Sequence, residues 1–204
     1  MRTLVIESAT EACSAALFEA DELLAGAWEV IGRGHAERLV PMIAELPGKG
    51  RADRVVVSLG PGSFTGVRIG LAAARALGLA WRAEVLGYPT LALVAAMARN
   101  EHHGPVSVCM TGGHGEWFLQ DFGTDGLPET GIASVTPVES SKGWNYKVIA
   151  GSQARTKAVY EGPGTIALDI LPDARCFRLL PEALLTGDLT PIYGRPPDAR
   201  LPGA

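Results

Sequence analysis

Cysteine is scarce in this sequence, and its placement excludes both a disulfide framework and a clustered metal site. The 204 residues contain 3 cysteines, Cys13, Cys109 and Cys176, whereas disulfide scaffolds and zinc clips need closely spaced pairs. Long apolar runs are also missing, so no segment reads as a membrane span. Glu7 and Glu11 interrupt the apolar start before a signal-peptide core can form. These gaps predict a cytoplasmic protein without membrane contact.

Positive charge is not in excess either. The 18 Lys and Arg are outnumbered by 22 Asp and Glu, and the formal net charge is -4. Because neutralisation of phosphates by basic side chains dominates nucleic-acid binding, any RNA would have to meet a local patch or the surface of a partner protein. The composition, 47% hydrophobic and 20% charged, is ordinary for a globular protein. We therefore expect RNA to be contacted only indirectly.

Common signatures of phosphate-transfer and peptidase chemistry are absent as well. A P-loop ends in G-K-[ST], whereas Gly66 is followed by Val67. Zinc peptidases need H-E-x-x-H, which does not occur in the sequence. Ser63 follows Pro61-Gly62 and lacks the G-x-S-x-G elbow of a serine hydrolase. We predict no catalytic residue and no metal site.

The first half of the chain alternates strand and helix patterns. Three strands at 3–6, 13–20 and 22–30 form a predicted antiparallel meander. The apolar spacing of "HAERLVPMIAEL" then predicts a helix with one buried face. The continuous apolar run "RVVVSL" is typical of a parallel strand covered on both sides. A short strand near 85–86 and a helix over 90–99 complete a predicted α/β unit with a mixed sheet.

The second half begins again with strands. "VSVCM" and "EWFLQDF" are predicted strands joined by the turn "TGGHG". A further strand is expected near 147–150 and a helix around 173–185. The polar segment "NEHHG" marks the predicted boundary, which divides the chain into units 1–103 and 104–204.

The segment "SLGPGSFTGVRIGLAAARALGLA" allows two interpretations of its loop. Gly60 and Gly62 permit a sharp turn after the strand. Ser63 and Thr65 are suited to cap a helix that begins near Gly66. Backbone N–H groups at a helix start attract anions, so both an ordinary strand-to-helix turn and an anion site remain open.

The helix of this segment carries a stripe of very small residues. Gly66, Gly70, Ala74 and Gly78 recur four residues apart and lie on one helix face. A glycine inside a helix lowers the stability of the helix by about 1 kcal/mol relative to alanine. We therefore expect a compensating contact, namely the close approach of another backbone to this face. That backbone belongs either to the protein's own sheet or to a second subunit.

Taken in order, several segments resemble the TsaB family, whose members are needed to make threonylcarbamoyladenosine in tRNA. The most specific is "GPGSFTGVRIGLAAARALGLA", the family's signature segment. "LVIESATEACSAAL" is similar to its opening strand-turn-strand and "HAERLVPMI" to its first helix. "GEWFLQ" resembles its second-lobe hairpin and "PIYGR" its closing motif.

The resemblance implies both a fold and a role. The implied fold is α/β, the actin-like, Hsp70-like and sugar-kinase-like (ASKHA) ATPase fold, with two related lobes that carry mixed sheets and a reduced second lobe. The implied role is that of a noncatalytic subunit that binds and supports TsaD, the enzyme that transfers threonylcarbamoyl to adenosine next to the anticodon. TsaE joins the larger assembly, and a homodimer is an alternative pairing. No cofactor of its own is expected.

In the family the first two helices meet TsaD, or a second copy of the protein, as a helical bundle. We therefore predict an interface on these helices and expect that Gly70→Trp abolishes the contact while the chain stays folded. The predicted interface residues are Leu39, Met42, Ile43, Ile69, Gly70, Ala73 and Ala74.

The histidines support a noncatalytic role. TsaD-type enzymes hold a metal through H-x-x-x-H on the helix after the second parallel strand, and this chain reads "GYPTLALVAA" there. His35 has Leu39 four residues on, and His102 and His103 are adjacent. We interpret these three and His114 as solvated loop or capping residues.

The chain departs from the family pattern at three places. Glu7 stands where Asp is common, residues 111–113 replace Asp, Ala and Arg in the hairpin, and residues 193–195 read Tyr-Gly-Arg for Tyr-Leu-Arg. Glu7 disfavours native nucleotide geometry, yet a nucleotide at the junction with TsaD is left open. The residues that would contact an anion or nucleotide are Glu7, Ser8, Thr10, Gly60, Gly62 and Ser63.

Two alternative functions are compatible with the resemblance. The first is a nucleotide-dependent phosphotransferase of the same fold, in which Glu7 and the glycine loop surround phosphate. The second is a metal-dependent peptidase, because the wider family has carried a glycoprotease label. The missing H-E-x-x-H and G-x-S-x-G motifs oppose the second.

Overall fold

The computed structural model describes residues 1–141 and 145–194 and contains two five-stranded sheets. The first sheet has the order β3-β2-β1-β4-β5. Its strands are β1 (Arg2–Glu7), β2 (Ala12–Glu19), β3 (Glu22–Val30), β4 (Arg54–Ser58) and β5 (Glu84–Tyr88). β1 to β3 form an antiparallel meander, and β4 and β5 run parallel to β1, which confirms the mixed sheet.

Three helices connect and cover this sheet. They are α1 (His35–Glu45), α2 (Phe64–Trp81) and α3 (Thr90–Glu101). Pro41 lies in the interior of α1 and is exposed, so it neither delays the helix start nor ends the helix. The predicted helix positions are therefore confirmed, with shifts of a few residues at their ends.

Side-chain alternation assigns the two faces of the first sheet to different layers. Leu4 and Ile6 point into a core that contains buried residues of α1 and α2. Val5 and Val56 point into the opposite core, which is shared with α3 and the second sheet. Since successive strand residues face opposite sides, α1 and α2 form an outer layer on one face while α3 is enclosed between the sheets.

The second sheet has the order β10-β9-β6-β7-β8. Its strands are β6 (Val106–Thr111), β7 (Trp117–Phe122), β8 (Ala133–Val135), β9 (Val148–Ala150) and β10 (Ile166–Leu168). The hairpin β6–β7 and strand β9 were predicted, whereas β8, β10 and the short helix α4 (Ala154–Glu161) were not. Three-residue strands are too short to show an alternation of apolar and polar residues, and in a segment rich in Gly, Thr and Pro they could not be predicted from the sequence.

The segment after the second sheet returns to the first sheet. The helix predicted around 173–185 is wrong, because this stretch forms two 3-10 turns, Ala174–Leu179 and Glu182–Leu184. Phe177 packs between Phe18 and Tyr88, with ring centroids 6.0 and 6.3 Å away. Further along, the backbone of Thr186 pairs with Gly87. Residues 172–194 thus belong spatially to the first sheet, and the division into 1–103 and 104–204 stays a prediction.

Candidate functional site

The glycine loop after β4 packs tightly on the turn between β1 and β2. The Ser63 N–H donates to the carbonyl oxygen of Ala9 at 2.6 Å. A Cβ at Gly62 would lie 2.0 Å from that same oxygen, so only glycine fits. Gly60 has φ +90° and lies against the backbone of Ile192. The loop is therefore a packed structural turn.

Helix α2 begins directly after this turn. Ser63 is its N-cap, and its hydroxyl accepts the Gly66 N–H at 3.3 Å. The predicted cap is confirmed, although the helix starts at Phe64, two residues before Gly66. The Ser63 hydroxyl thus already satisfies one of the N–H groups that an anion would need.

The small-residue stripe of α2 faces the protein's own sheet. A Cβ at Gly66 would lie 2.1 Å from the carbonyl oxygen of Ser8, and one at Gly70 would lie 2.4 Å from the Ser8 hydroxyl oxygen. At Gly78 the neighbour is Val85, 2.2 Å away. Of the two alternatives for the approaching backbone, the protein's own sheet is the one observed, and the predicted placement of Gly70 and Ala74 at a partner surface is wrong. Gly70→Trp would disrupt the chain's own packing and could not report on a partner.

Most of the predicted interface residues lie in the same core. Ile69 and Ala73 are partly buried beside it. The remaining five are buried and therefore present no side-chain surface to a partner: Leu39, Met42, Ile43, Gly70 and Ala74. These residues explain why the two helices pack where they do, because their apolar spacing serves the intramolecular contact.

The opposite sides of α1 and α2 are exposed and mostly apolar. Val40 is 60% exposed and Leu79 is 85% exposed. The surface, called here the outer face, consists of Ala36, Val40, Ala44, Ala72, Ala76 and Leu79. Four of its six members are alanines, which allow another helix to approach closely. A contact between these helices and a partner stays a prediction, and none of the seven residues predicted for it belongs to this exposed face.

The candidate anion residue Glu7 is fully enclosed at the carboxyl end of β1. The Ala9 N–H donates to its Oε1 at 2.7 Å, and the Tyr88 hydroxyl lies 3.1 Å from its Oε2. Burial raises the pKa of Glu7 to about 7, although these hydrogen bonds act in the opposite direction. At neutral pH a large share of this side chain is therefore protonated.

The other candidate anion residues gather around the same turn. The Ser8 hydroxyl donates to the Gly66 carbonyl oxygen at 3.0 Å, and the Thr10 hydroxyl accepts the Ala12 N–H at 3.2 Å. Both side chains are buried and used within the chain. The structure thus brings the six candidates together, but most of their polar groups are hydrogen-bonded to other residues of the chain, such as Ala9, Gly66 and Tyr88. A nucleotide contact there stays a prediction.

Sequence reasoning missed the partners of Glu7. Tyr88 ends β5 and is wholly buried. Ser58 lies one residue beyond the Ile6–Val57 pair, which places it next to Glu7 in the parallel register. The Ser58 hydroxyl lies close enough to Glu7 to lower the pKa of that carboxyl, and the Thr90 hydroxyl is buried with no hydrogen-bond partner among the described residues. The available signal was topological, since the carboxyl ends of parallel strands meet at one edge.

The four histidines are placed differently. His35 is buried at the first position of α1, with Nε2 3.4 Å from the Ala12 carbonyl oxygen, so the interpretation as a solvated residue is wrong for it. His102 caps the end of α3, while His103 and His114 are exposed. Within the described residues, no group of three or more His, Cys, Asp or Glu could hold a metal ion.

The second-lobe hairpin contains the departures noted in the sequence. Thr111 ends β6, and its hydroxyl lies 3.0 Å from that of Ser152 and accepts from Gln153 at 2.9 Å. Gly112 donates its N–H to Glu116 and closes the turn. The residues that replace Asp, Ala and Arg thus serve local contacts. Arg195 of the closing motif lies outside the described residues.

Two mixed sheets, an enclosed helix between them and a glycine turn at the carboxyl edge define a class of protein, the ASKHA fold. A solved structure of YeaZ from Pseudomonas aeruginosa is similar, with a TM-score of 0.75 and 27% sequence identity. The similarity covers 87% of this chain and 89% of that one. The family model for TsaD, tRNA N6-adenosine threonylcarbamoyltransferase, matches residues 29–130, half of the chain. The chain belongs to this family and, within it, to the TsaB proteins.

Curated relatives carry the TsaB name. The tRNA threonylcarbamoyladenosine biosynthesis protein TsaB of Escherichia coli is 39% identical over 100 residues, which is 47% of this chain and 43% of that protein. The protein of the same name from Haemophilus influenzae is 39% identical over 106 residues, 49% of this chain and 44% of that protein. The matched part thus spans less than half the length of these relatives. Separately, none of the helices in the described residues combines the length and hydropathy needed to span a membrane.

Proposed function

We propose that this chain is a noncatalytic cytoplasmic subunit that binds a TsaD-type enzyme and supports its transfer of threonylcarbamoyl to tRNA. The observation that carries the proposal is the outer face of α1 and α2. Its two large residues, Val40 and Leu79, lie in solvent and flank alanines that permit close helix approach. Apolar side chains of this kind, rimmed by charge, are typical of the centre of a protein interface.

Charge surrounds this face on both helices. Arg38 of α1 is bound by Glu29 and Glu45, with nitrogen–oxygen distances of 2.5 and 2.9 Å. Arg75 of α2 donates to the Leu189 carbonyl oxygen at 3.1 Å. Both guanidinium groups are held in place by these contacts, and the alanines of the outer face are exposed on the same two helices, which supports a contact with a second pair of helices.

A catalytic role has little support from the residues. The helix that would hold the metal of a TsaD-type enzyme corresponds to α3, which has no histidine from Thr90 to Glu101. Glu7 would hold magnesium phosphate in a phosphotransferase, but its enclosure and the raised pKa of its carboxyl oppose that role. In this proposal TsaE and tRNA are met through the assembly, and a homodimer uses the same outer face.

Co-purification with TsaD of the same organism tests the proposal. Val40→Arg and Leu79→Arg place a charge in the centre of the outer face without touching the core. We expect each to lower recovery of the complex at least tenfold, because an unpaired buried charge costs several kcal/mol at an interface. Val159→Arg is the matched control, since Val159 is 81% exposed on α4 of the second sheet.

The variants should retain the melting temperature of the parent chain, since both replaced side chains lie mostly in solvent. A double variant carries both Val40→Arg and Leu79→Arg, and unchanged recovery of TsaD with this chain would contradict the proposed contact. An equal loss with Val159→Arg would also contradict it, because the effect would then not belong to this face. The same double variant, analysed alone by light scattering, tests whether a homodimer uses the outer face.

A further inference from the structure

An open pocket lies at the amino-terminal edge of the first sheet, on the side away from Glu7. Its volume is about 330 Å³, and it is lined by Arg2, Gly48, Arg51, Ala52, Asp53 and Trp81. Small-molecule sites span roughly 300–1,000 Å³, so the pocket is large enough for a compact ligand. The six residues of β1 separate this edge from the glycine turn by roughly 17 Å.

The walls of the pocket are fixed by backbone contacts among three strands. The Arg2 N–H donates to Asp53 Oδ2 at 2.8 Å, and the Asp53 N–H donates to the Arg2 carbonyl oxygen at 3.0 Å. Glu84 donates its N–H to the Asp53 carbonyl oxygen at 3.0 Å. A Cβ at Gly48 would lie 3.5 Å from Arg2 Nη1, so that guanidinium lies over a bare backbone.

Two arginines and one tryptophan line the same pocket. Arg2 forms a solvent-exposed ion pair with Glu19, with Nε 3.6 Å from Oε2, whereas Arg51 is exposed and forms no ion pair within the described residues. Trp81, at the end of α2, packs partly against the core below and leaves part of its surface to the pocket. Guanidinium groups bind phosphate with paired N–H donors, and indole rings stack on nucleobases. Phosphate and an aromatic base occur together in a nucleotide.

Asp53 narrows the choice of ligand. One of its carboxylate oxygens accepts the Arg2 N–H, and the other has no hydrogen-bond partner within the described residues. A free carboxylate oxygen repels an isolated phosphate but accepts the amino group of a base. The lining therefore favours a ligand with an anionic end and a donor-bearing aromatic end over an inorganic anion.

We propose that this pocket binds a nucleotide, with its phosphate on Arg2 and Arg51 and its base on Trp81 and Asp53. The ligand is a free nucleoside monophosphate or one nucleotide of a single-stranded RNA. The net charge of -4 is compatible with the site because the positive groups are local. The inference does not depend on the proposed contact with TsaD, since it concerns another surface and another ligand.

Calorimetric titration of the whole chain with AMP, inorganic phosphate and a seven-residue oligoadenylate tests the inference. AMP is expected to bind at least tenfold more tightly than phosphate. Arg51→Gln should weaken AMP binding at least tenfold, because it removes one of the two phosphate contacts. Arg33→Gln is the matched control, an exposed arginine in the loop before α1, and should leave binding unchanged.

A second pair of variants separates stacking from charge. Trp81→Leu should remove the advantage of AMP over phosphate, and Trp81→Phe, which keeps a ring and is the milder change to the core, should retain most of it. An oligoadenylate tenfold tighter than AMP identifies an RNA strand as the ligand, and equal affinity identifies the free nucleotide. No AMP binding at millimolar concentration, phosphate as tight as AMP, or equal losses in Arg51→Gln and Arg33→Gln would overturn the proposal.

Discussion

Gly66→Ala is expected to lower the free energy of unfolding of the isolated chain by about 3 kcal/mol. The new methyl group would lie 2.1 Å from the Ser8 carbonyl oxygen, a backbone atom that no rotamer change can move. Overpacking typically costs about 1–3 kcal/mol and occasionally more, and the gain of about 1 kcal/mol in helix propensity cannot offset a backbone clash. Urea denaturation followed by circular dichroism measures the loss.

The matched control for this variant is Gly131→Ala. Nothing lies within 4 Å of a Cβ at Gly131, and its φ is not in the left-handed region. That change should alter stability by only a few tenths of a kcal/mol. A Gly66→Ala chain as stable as the parent would contradict the close packing of α2 on the β1–β2 turn.

Glu7→Gln is expected to stabilise the chain at pH 8 by up to about 3 kcal/mol. The pKa of Glu7 is about 7 in the folded protein because burial opposes its charge, whereas the ordinary value is 4.5. The folded state therefore holds a proton that the unfolded state releases between these values. Glutamine keeps a neutral side chain at every pH, and its side-chain oxygen can still accept the Ala9 N–H that Glu7 accepts in the parent chain.

The stabilisation by Glu7→Gln should depend on pH in a defined direction. The stability that the protonated Glu7 contributes is fully present below pH 4.5 and is lost as the pH rises through about 7. Parent and variant should thus differ little at pH 4.5 and most at pH 8. Glu182→Gln, on an exposed turn, is the control and should keep the parent profile. If the free energy of unfolding of the parent chain does not fall between pH 5 and 8, the raised pKa of the buried Glu7 carboxyl is contradicted.

Elements with strong local patterns could be predicted from the sequence. The meander β1 to β3, the glycine turn and the Ser63 cap each depend on residues close in the chain, and all were placed correctly. The stretch 173–185 has apolar residues at helix-like spacing, but its side chains Phe177 and Leu180 are buried between two sheets. Tertiary packing there outweighs helix propensity, and the backbone forms 3-10 turns.

The orientation of the small-residue stripe could not be read from spacing. The spacing of Gly66, Gly70 and Gly78 predicts that another backbone or side chain packs closely on this helix face. It does not distinguish packing on the protein's own sheet from packing on another subunit. Which of the two packs on the stripe depends on the register of β1 and β4, because this register places Ser8 and Val57 against α2. Glu7 is a similar case, because its enclosure arises from Tyr88, 81 residues further along the chain.

The return of residues 172–194 to the first sheet has a mechanical consequence. The chain crosses between the sheets twice, once at the end of α3 and again near Pro172, whose carbonyl oxygen accepts the Trp28 indole N–H at 3.2 Å. Paired backbone bonds between Gly87 and Thr186 then fasten the second crossing. These bonds lie on the first sheet and hold the returning segment there, so a rotation of one sheet against the other would bend the chain at the two crossings and leave the Gly87–Thr186 pair intact.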